Sequence, residues 1–415
     1  MLGGGKHARG VRIGYHWIVL GLVCLSSTSI SYIAQGLPAL VPLFQTDLAL
    51  SRAQAGSLIA AMNLGPLFSS LGVGRLVDRI GERPVLVGGT LGTGLAALAA
   101  SQAPSFALLA LLLFVTGVFA SVSGPGGTKV IMVWFPQALR GLGIGIRQTS
   151  IPLGGALAAA TLPLLGLTWG WRGALALAGL VVAVSALVVQ AFFRERPASS
   201  SAARHGSQHG IRTLLRSRSV LAIMGVAFVL TVAQWASVTY LVLFLHEYLA
   251  LDLPLAASYL AVLQVGGMVG RTAWGLISDT ILHGRRKPAM VAIAPAALGC
   301  VVLLALLPPG TPPLLLLPLV AALGFTAIGW NGIFLALMAE QAPPDLAATA
   351  VGLAVTGVFV SIVLTPPLFG LVVDRSGSYQ LAWWLLAAIL AAGLPLLVWI
   401  KEGRRSWAPP HSPGG

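Results

Sequence analysis

Long apolar runs separated by short polar breaks extend along almost the whole chain. A helix needs about 20 mostly apolar residues to cross a hydrocarbon core, and twelve runs reach that length. We therefore predict an all-α membrane protein with twelve transmembrane helices in two pseudo-symmetric six-helix bundles. The runs fall near residues 17–44, 53–73, 84–103, 105–128, 141–166, 171–193, 219–245, 254–277, 288–307, 313–338, 346–372 and 379–400.

The longest polar break separates the first six runs from the last six. It is rich in Ser, Arg, Gly and His and lacks apolar periodicity, which is typical of a flexible linker. We predict an N-terminal bundle over residues 1–193, a cytoplasmic linker over 194–218, a C-terminal bundle over 219–400 and a cytoplasmic tail over 401–415.

The composition excludes a water-soluble protein. Hydrophobic residues make up 57% of the 415 positions and charged residues only 9%, whereas a soluble domain carries about 25% charged residues. The first apolar run is also too long for the core of a signal peptide. Cys24 and Cys300 lie far apart in apolar runs and fit no disulfide or metal spacing. No cofactor and no metal site is predicted.

Basic residues are distributed very unevenly between the two sides of the membrane. With the N-terminus in the cytoplasm, the predicted cytoplasmic segments hold 20 of the 25 Lys and Arg residues and the periplasmic loops hold 3. This asymmetry follows the positive-inside rule and places both termini in the cytoplasm, with an inner membrane as the favoured location. The net charge of +14 then faces anionic headgroups of the lipid bilayer, so no nucleic acid partner is expected.

The most highly charged stretch of the first half occurs again in the second half. Residues 74–85 read GRLVDRIGERPV, and residues 275–288 read GLISDTILHGRRKP. Gly74 corresponds to Gly275 and Asp78 to Asp279, each pair 201 residues apart. Each half therefore represents one copy of a six-helix unit, as in parallel-repeat transporters.

The first of these stretches resembles the signature loop of the major facilitator superfamily, with the pattern G-x-L-a-D-r-x-G-r-k-x-x-l. Glu82 departs from it, because a basic residue is usual there. The resemblance covers essentially the whole chain and implies a secondary active transporter, not an enzyme, that works by rocker-switch alternating access. The matching residues are Gly74, Leu76, Asp78, Arg79, Gly81, Arg83 and Leu86.

The resemblance also implies that these two loops latch the cytoplasmic face when the transporter faces outward. Asp78 would then lie near the start of helix 11, around Leu346, where the helix dipole is positive. The alternative is an ordinary solvated loop that serves orientation alone. The predicted gating residues are Gly74, Asp78, Arg79, Gly81, Arg83, Gly275, Asp279, Arg285 and Arg286.

Arg271 is the main candidate for binding a substrate. No Asp or Glu lies in the middle of a predicted span, whereas Arg271 lies inside helix 8, four residues before Gly275. A guanidinium at membrane depth faces a cavity or a partner, and its planar fork suits a carboxylate. The spacing is similar to that of monocarboxylate porters and oxalate–formate antiporters, in which an Arg on helix 8 holds the substrate carboxylate. The alternative is that Arg271 only braces the gate.

A second buried cation and several polar side chains complete the predicted site. Arg147 either lines the cavity or extends toward the interface. Polar residues in the middle of helices at the centre of the fold are further candidates for substrate contact, because such groups need a partner within the membrane. Tyr240 on helix 7 is interpreted as core or aromatic-belt packing. The other candidates are Tyr32, Gln35, Gln234, Trp330 and Asn331.

These features favour transport of a small organic anion, specifically a monocarboxylate, with proton coupling or exchange. The alternative is proton-driven efflux of hydrophobic drugs. Against that alternative, the stretch LFVTG has Leu113 where the exporter pattern of the superfamily has an Arg. The expected partners are a small-molecule substrate, a coupling proton and the lipid bilayer, and a monomer is expected.

Overall fold

The computed structural model describes residues 10–136, 139–194, 214–341 and 346–401. Within these ranges the chain is a bundle of helices with no β-strand. Most of the predicted linker and most of the predicted tail lie outside the described residues, so the division into two bundles at residues 194–218 stays a prediction.

The first half of the chain supplies helices α1 to α6, two of which are interrupted. The last two lie in one helical segment that breaks at Gly170, where φ is 69°. Residues 140–169 are called α5 here and residues 171–192 α6. The helices are α1 (Gly10–Ala34 and Leu37–Leu48), α2 (Arg52–Ile80), α3 (Glu82–Ala100), α4 (Phe106–Ala120 and Pro125–Trp134) and the segment Arg140–Phe192.

The second half supplies helices α7 to α12. A π-helical turn, Phe244–Tyr248, ends the first of them. The helices are α7 (Arg218–Leu243), α8 (Leu253–Thr280), α9 (Lys287–Leu306), α10 (Pro313–Ala327 and Asn331–Gln341), α11 (Ala347–Ser376) and α12 (Tyr379–Gly393 and Leu396–Trp399).

The described helices confirm the twelve-span prediction. Ten helical stretches are long and apolar enough to cross a membrane, and α2, whose two parts meet at an angle of 52°, makes the eleventh. One of the ten, Leu142–Phe192, is 51 residues long. Because a single span needs about 20 residues, the break at Gly170 divides this stretch into two spans.

The prediction of an extended loop over residues 74–85 was wrong. α2 continues as a helix to Ile80, and α3 begins at Glu82, so only Gly81 separates them. Residues 75–80 contain no Gly or Pro to end the helix, whereas Gly81 has a φ of 92° that other residues rarely adopt. In the second copy, α8 continues to Thr280, and residues 281–286 form the turn.

The two halves meet along two helix pairs, in which α2 packs against α11 and α5 packs against α8. Gly56 on α2 permits the first contact, since a Cβ atom there would lie 2.4 Å from the carbonyl oxygen of Pro366. The ends of α2 define two ends of the bundle. The end that carries Arg52 is called the Arg52 end below, and the end that carries Gly81 is called the loop end.

Three helices are interrupted near their middles. α1 breaks at residues 35–36, α4 at residues 121–124 and α10 at residues 328–330. A helix break frees backbone groups that require other partners when no water is present. The candidate site is built around the side chains that meet these groups.

Candidate functional site

Arg271 joins the two halves of the molecule through neutral acceptors. Its Nη1 donates to the carbonyl oxygen of Gln148 on α5 at 3.0 Å, and its Nε donates to the carbonyl oxygen of Ile328 at 3.3 Å. The side chain is half-buried, and no described carboxylate lies within ion-pair distance. Its positive charge is therefore solvated by carbonyl dipoles rather than neutralised.

The break in α10 connects Arg271 to three other predicted site residues. The carbonyl oxygen of Ile328 also accepts from Nδ2 of Asn331 at 3.0 Å. Nδ2 of Asn331 and Nε1 of Trp330 each lie 3.2 Å from Oε1 of Gln234 on α7, which accepts from both. Trp330 is fully buried, so it anchors the amide of Gln234. Nε2 of Gln234 and Oδ1 of Asn331 make no hydrogen bond to a described residue.

Arg147 is held within its own half. It is only 5% exposed, and its Nη1 donates to the carbonyl oxygen of Ser123 at 2.8 Å, where α4 is interrupted. Its Nη2 donates to Oγ1 of Thr128 at 3.3 Å and to Oε1 of Gln148 at 3.1 Å. These contacts support a structural role for Arg147, since they bridge the break in α4 from α5.

Gln148 connects the two arginines, a link that the sequence analysis missed. Its side-chain oxygen accepts from Arg147, while its backbone oxygen accepts from Arg271. Its position next to a buried arginine was the only available signal in the sequence. Through this residue, the break in α4 and the break in α10 belong to one polar network.

The third break, in α1, presents Gln35 to α8. Its Oε1 accepts from Nε2 of Gln264 at 3.3 Å, and both side chains are buried. Gln264 lies seven residues, or about two helical turns, before Arg271 and therefore on the same face of α8. The packing of α5 on α8 keeps this register, because Gly155 touches Gln264 and Gln148 touches Arg271. The sequence analysis did not select Gln264.

Tyr32 lies one turn from Gln35 and is partly exposed. Its hydroxyl forms a 2.6 Å hydrogen bond with Oγ1 of Thr161, which joins α1 to α5. This bond stays within the first half, and it accounts for a tyrosine hydroxyl at membrane depth.

The electrostatics of the central region suit an anion. The ion pairs described, such as Arg172–Asp47 and Arg52–Glu247, lie near helix ends, whereas the described partners of both central arginines are neutral. A charge without a counterion is costly in a low-dielectric region. An anion beside Arg271 would lower that cost.

At the loop end, the predicted gating residues of the first half pair within that half. Nζ of Lys129 on α4 lies 2.7 Å from Oδ1 of Asp78. Nη2 of Arg83 donates to the carbonyl oxygen of Gln190 on α6 at 2.7 Å. Arg79 lies in the last turn of α2. Among the described residues Asp78 has no hydrogen bond or ion pair to α11, and its contact with the start of that helix stays a prediction.

The charged residues of the second copy of the motif also pair within their own half. Nη1 of Arg286 lies 2.6 Å from Oδ1 of Asp279, and its Nε lies 3.6 Å from Oε1 of Glu340 on α10. Neither Gly74 nor Gly275 has a neighbour within 4 Å of the position that a Cβ atom would occupy. The two halves are therefore not latched together through these glycines.

At the Arg52 end, the halves are joined by four residues, Arg52, Glu247, Asp374 and Tyr379, which are called the Arg52 clamp below. Nη2 of Arg52 lies 2.5 Å from Oε2 of Glu247, which also accepts from the hydroxyl of Tyr379 at 2.8 Å. The carboxylate of Asp374 accepts from the backbone N–H groups of Arg52 at 3.0 Å and Ala53 at 2.8 Å. It therefore caps the N-terminus of α2 from the other half.

Tyr240 reinforces the Arg52 clamp. It is fully buried, and its hydroxyl hydrogen bonds with the carbonyl oxygens of Pro366 at 2.5 Å and Arg52 at 2.9 Å. Of the two interpretations of Tyr240, its buried position supports core packing rather than an aromatic belt. The described contacts between the halves thus close the Arg52 end, whereas the described motif residues at the loop end pair within their own halves.

Comparisons with known proteins agree with this architecture. The family model described as Major Facilitator Superfamily matches residues 22–366. An uncharacterised transporter of that type from Mycobacterium tuberculosis is 28% identical over 93% of this chain and 85% of its own. A probable sulfoacetate transporter from Cupriavidus necator is 27% identical over 92% of this chain and 93% of its own.

A solved structure shows the same fold. It is a bacterial homologue of the human lysosomal transporter Spinster in an inward-facing, unoccupied conformation. The TM-score is 0.73, with 18% sequence identity and coverage of 96% of this chain and 95% of the other.

Proposed function

Because the chain belongs to the major facilitator superfamily and is therefore a multi-pass membrane transporter rather than an enzyme, we propose that its substrate is a small organic anion whose carboxylate binds Arg271. Transport proceeds by alternating access between two six-helix bundles. The loop end faces the cytoplasm of a bacterial cell and the Arg52 end faces the periplasm, in line with the distribution of basic residues.

The observation that carries this proposal is the uncompensated charge of Arg271. The guanidinium is half-buried, and among the described residues its hydrogen-bond partners are backbone carbonyl oxygens. An arginine that served only as a brace would gain more from a carboxylate partner, since charge-assisted hydrogen bonds are about twice as strong as neutral ones. The relative named as a sulfoacetate transporter adds support, because sulfoacetate is an organic anion.

Anion binding at Arg271 also provides a link to the conformational change. Nη1 of Arg271 reaches across to the carbonyl oxygen of Gln148 in the other half. A bound carboxylate competes with that oxygen for the same donor, so binding replaces a bond between the halves with a bond to the substrate. The Arg52 clamp then opens as Asp78 forms its latch at the opposite end.

The coupling proton, where one is used, travels on the substrate carboxylate. The described acidic residues lie near helix ends, and the sequence has no Asp or Glu in the middle of a predicted span, so no side-chain carboxylate is expected at the centre of the membrane to carry it. Exchange of one anion for another satisfies the same constraint without a proton.

Thermal unfolding of the purified protein tests this proposal. Lactate, benzoate, glucose and the hydrophobic cation ethidium are compared on wild type and on Arg271→Ala. A ligand at about 100 times its Kd stabilises the native state by about 2.7 kcal/mol. We expect the carboxylates to raise the Tm of wild type but not that of the variant. Stabilisation of both proteins by ethidium alone would favour drug efflux instead.

A further inference from the structure

The pair formed by Gln35 and Gln264 has the properties of a recognition group. It joins α1 to α8 across the two halves through one long hydrogen bond of 3.3 Å. Gln35 lies where α1 is interrupted, and Gln264 is only 2% exposed. Burying two amides is unfavourable unless their hydrogen bonds are made, so an apolar pair would pack here at lower cost.

The chain keeps space for this pair. A Cβ atom at Gly155 on α5 would lie 2.7 Å from Cδ of Gln264 and 2.9 Å from Cβ of Gln35. Both distances are shorter than atoms tolerate, so any larger residue at position 155 would displace the amides. The glycine and the two glutamines form one arrangement, contributed by α5, α1 and α8.

The two amides are only partly satisfied. Their single mutual bond uses Nε2 of Gln264 and Oε1 of Gln35. Oε1 of Gln264 and Nε2 of Gln35 make no hydrogen bond to a described residue. The pair therefore offers one unused acceptor and one unused donor. A hydroxyl group can fill both positions at once, because it donates one hydrogen bond and accepts others.

The same face of α8 carries the rest of a linear site. Arg271 lies seven residues from Gln264, which is about 10.5 Å along the helix. Met268 lies between them on that face and is half-buried. Its flexible thioether side chain suits contact with a carbon skeleton. The face thus presents an amide, an apolar side chain and a cation in order.

This order matches a molecule with a carboxylate at one end and a hydroxyl at the other. A para-substituted six-membered ring carries its carboxylate and its hydroxyl at opposite ends, as this order requires.

Building on the proposed function, we infer that Gln35 and Gln264 determine specificity by binding a hydroxyl at the far end of the substrate anion. The substrate class is a hydroxycarboxylate rather than a plain monocarboxylate or a dicarboxylate. A substrate that ended in an alkyl group would leave Oε1 of Gln264 and Nε2 of Gln35 without a hydrogen bond. A second carboxylate has no hydrogen to donate to Oε1 of Gln264, and it would bring a charge to a position without a cation.

Binding measurements on three rigid anions test this inference. Benzoate, 4-hydroxybenzoate and terephthalate carry a hydrogen, a hydroxyl and a second carboxylate at the para position. Their Kd values are measured on wild type, Gln264→Leu and Gln35→Leu in lipid nanodiscs. Gln190→Leu is the matched control, because the side chain of Gln190 is exposed on α6.

We expect wild type to bind 4-hydroxybenzoate about tenfold more tightly than benzoate, as one additional satisfied hydrogen bond allows. Terephthalate should bind most weakly. In both glutamine variants, the ratio of the benzoate Kd to the 4-hydroxybenzoate Kd should fall to near one while benzoate still binds. The control should keep the wild-type ratio.

Equal binding of benzoate and 4-hydroxybenzoate by wild type, or tightest binding of terephthalate, would overturn the inference and leave the proposed function intact. A preference for the hydroxyl that survives both glutamine substitutions would overturn it as well. If one of the two glutamine variants does not fold, the other one tests the inference. Failure of wild type to bind any of the three anions would contradict the proposed function together with the inference.

Discussion

Arg147 and Arg271 look alike in the sequence but differ in what they join. Each is a cation inside a membrane span, and each donates to a backbone carbonyl at the break of α4 or α10. Arg147 is almost fully buried, and its described partners belong to its own half. Arg271 is half-buried, and one of its bonds reaches the other half. The two environments therefore suit different roles, a fixed contact within one half for Arg147 and a changeable contact between the halves for Arg271.

Arg52 extends the comparison with a third environment. Like Arg271 it crosses between the halves, but its partners are the carboxylates of Glu247 and Asp374. A neutralised guanidinium has little remaining attraction for an anion. Of the three arginines, only Arg271 combines a contact between the halves with described partners that carry no charge, and this combination is what the proposed substrate site requires.

Replacing Arg271 should have the largest effect. Arg271→Ala removes a charged donor from the proposed carboxylate site, and hydrogen bonds to charged groups contribute about 1.5 to 3 kcal/mol. We expect the Kd for benzoate to rise by about 10- to 100-fold, as measured by titration calorimetry. Arg271→Lys should lose less affinity, since it keeps the charge but loses the planar fork. Unchanged affinity in both variants would rule out Arg271 as the anion site.

Reversing the charge of Arg52 should shift the conformational equilibrium rather than the affinity. Arg52→Glu places a carboxylate against Glu247 and opens the Arg52 end, whereas Arg52→Glu combined with Glu247→Arg restores the pair. Spin labels at Thr46 and Arg375 report this opening as a longer distance between the two labels in pulsed electron paramagnetic resonance. The distance distribution should lengthen in the single variant and return toward that of wild type in the double variant.

The control for the Arg52 clamp uses an ion pair that does not cross between the halves. Arg172 and Asp47 pair within the first half at the same end. Arg172→Glu should leave the distribution unchanged. If it lengthens the distance as much as Arg52→Glu, the Arg52 clamp is not the element that holds this end closed.

Replacing Arg147 should lower stability without weakening anion binding. Arg147→Met keeps the apolar stem but leaves the carbonyl oxygen of Ser123 without its donor, at a cost of about 1 to 3 kcal/mol. We expect a lower Tm by thermal unfolding and a benzoate Kd within about threefold of wild type. A Kd that rises as far as in Arg271→Ala would show that the two arginines bind the anion together.

Gln148→Ala should have the smallest effect, and it distinguishes the contact of Gln148 with Arg147 from its contact with Arg271. The substitution removes Oε1, which serves Arg147, but keeps the backbone oxygen, which serves Arg271. Loss of one hydrogen bond costs about 0.5 to 1.5 kcal/mol, so a slightly lower Tm and an unchanged benzoate Kd are expected. Weaker anion binding in this variant would indicate that the side chain itself reaches the substrate.

Hydropathy alone was sufficient to predict the twelve spans, because each span needs an apolar run long enough to cross the hydrocarbon core. Arg271 could also be selected from the sequence as a candidate site residue, since a cation inside a membrane span is rare and usually functional. The continuation of α2 to Ile80 was missed because charged residues were read as a loop, although they form helices readily at a membrane surface. Only Gly81 marked the true break.

The Arg52 clamp and the Gln35–Gln264 pair were not predictable for a different reason. Their partners lie about 200 to 330 residues apart in the chain, and each residue alone resembles an ordinary interfacial or core polar residue. One clue was available for Gln264, which lies two helical turns before Arg271 and therefore on the same face of α8. The contacts of Gln148 depend on how α5 packs against α8, which no local pattern specifies.

Exchange of radiolabelled benzoate by reconstituted proteoliposomes tests the central claim most directly, because it requires both binding at Arg271 and movement of the two halves. Wild type, Arg271→Ala and Arg147→Met are compared at equal amounts of folded protein. We predict saturable exchange in wild type and in Arg147→Met, and loss of exchange in Arg271→Ala. Undiminished exchange by Arg271→Ala would contradict the assignment of Arg271 as the residue that holds the transported anion.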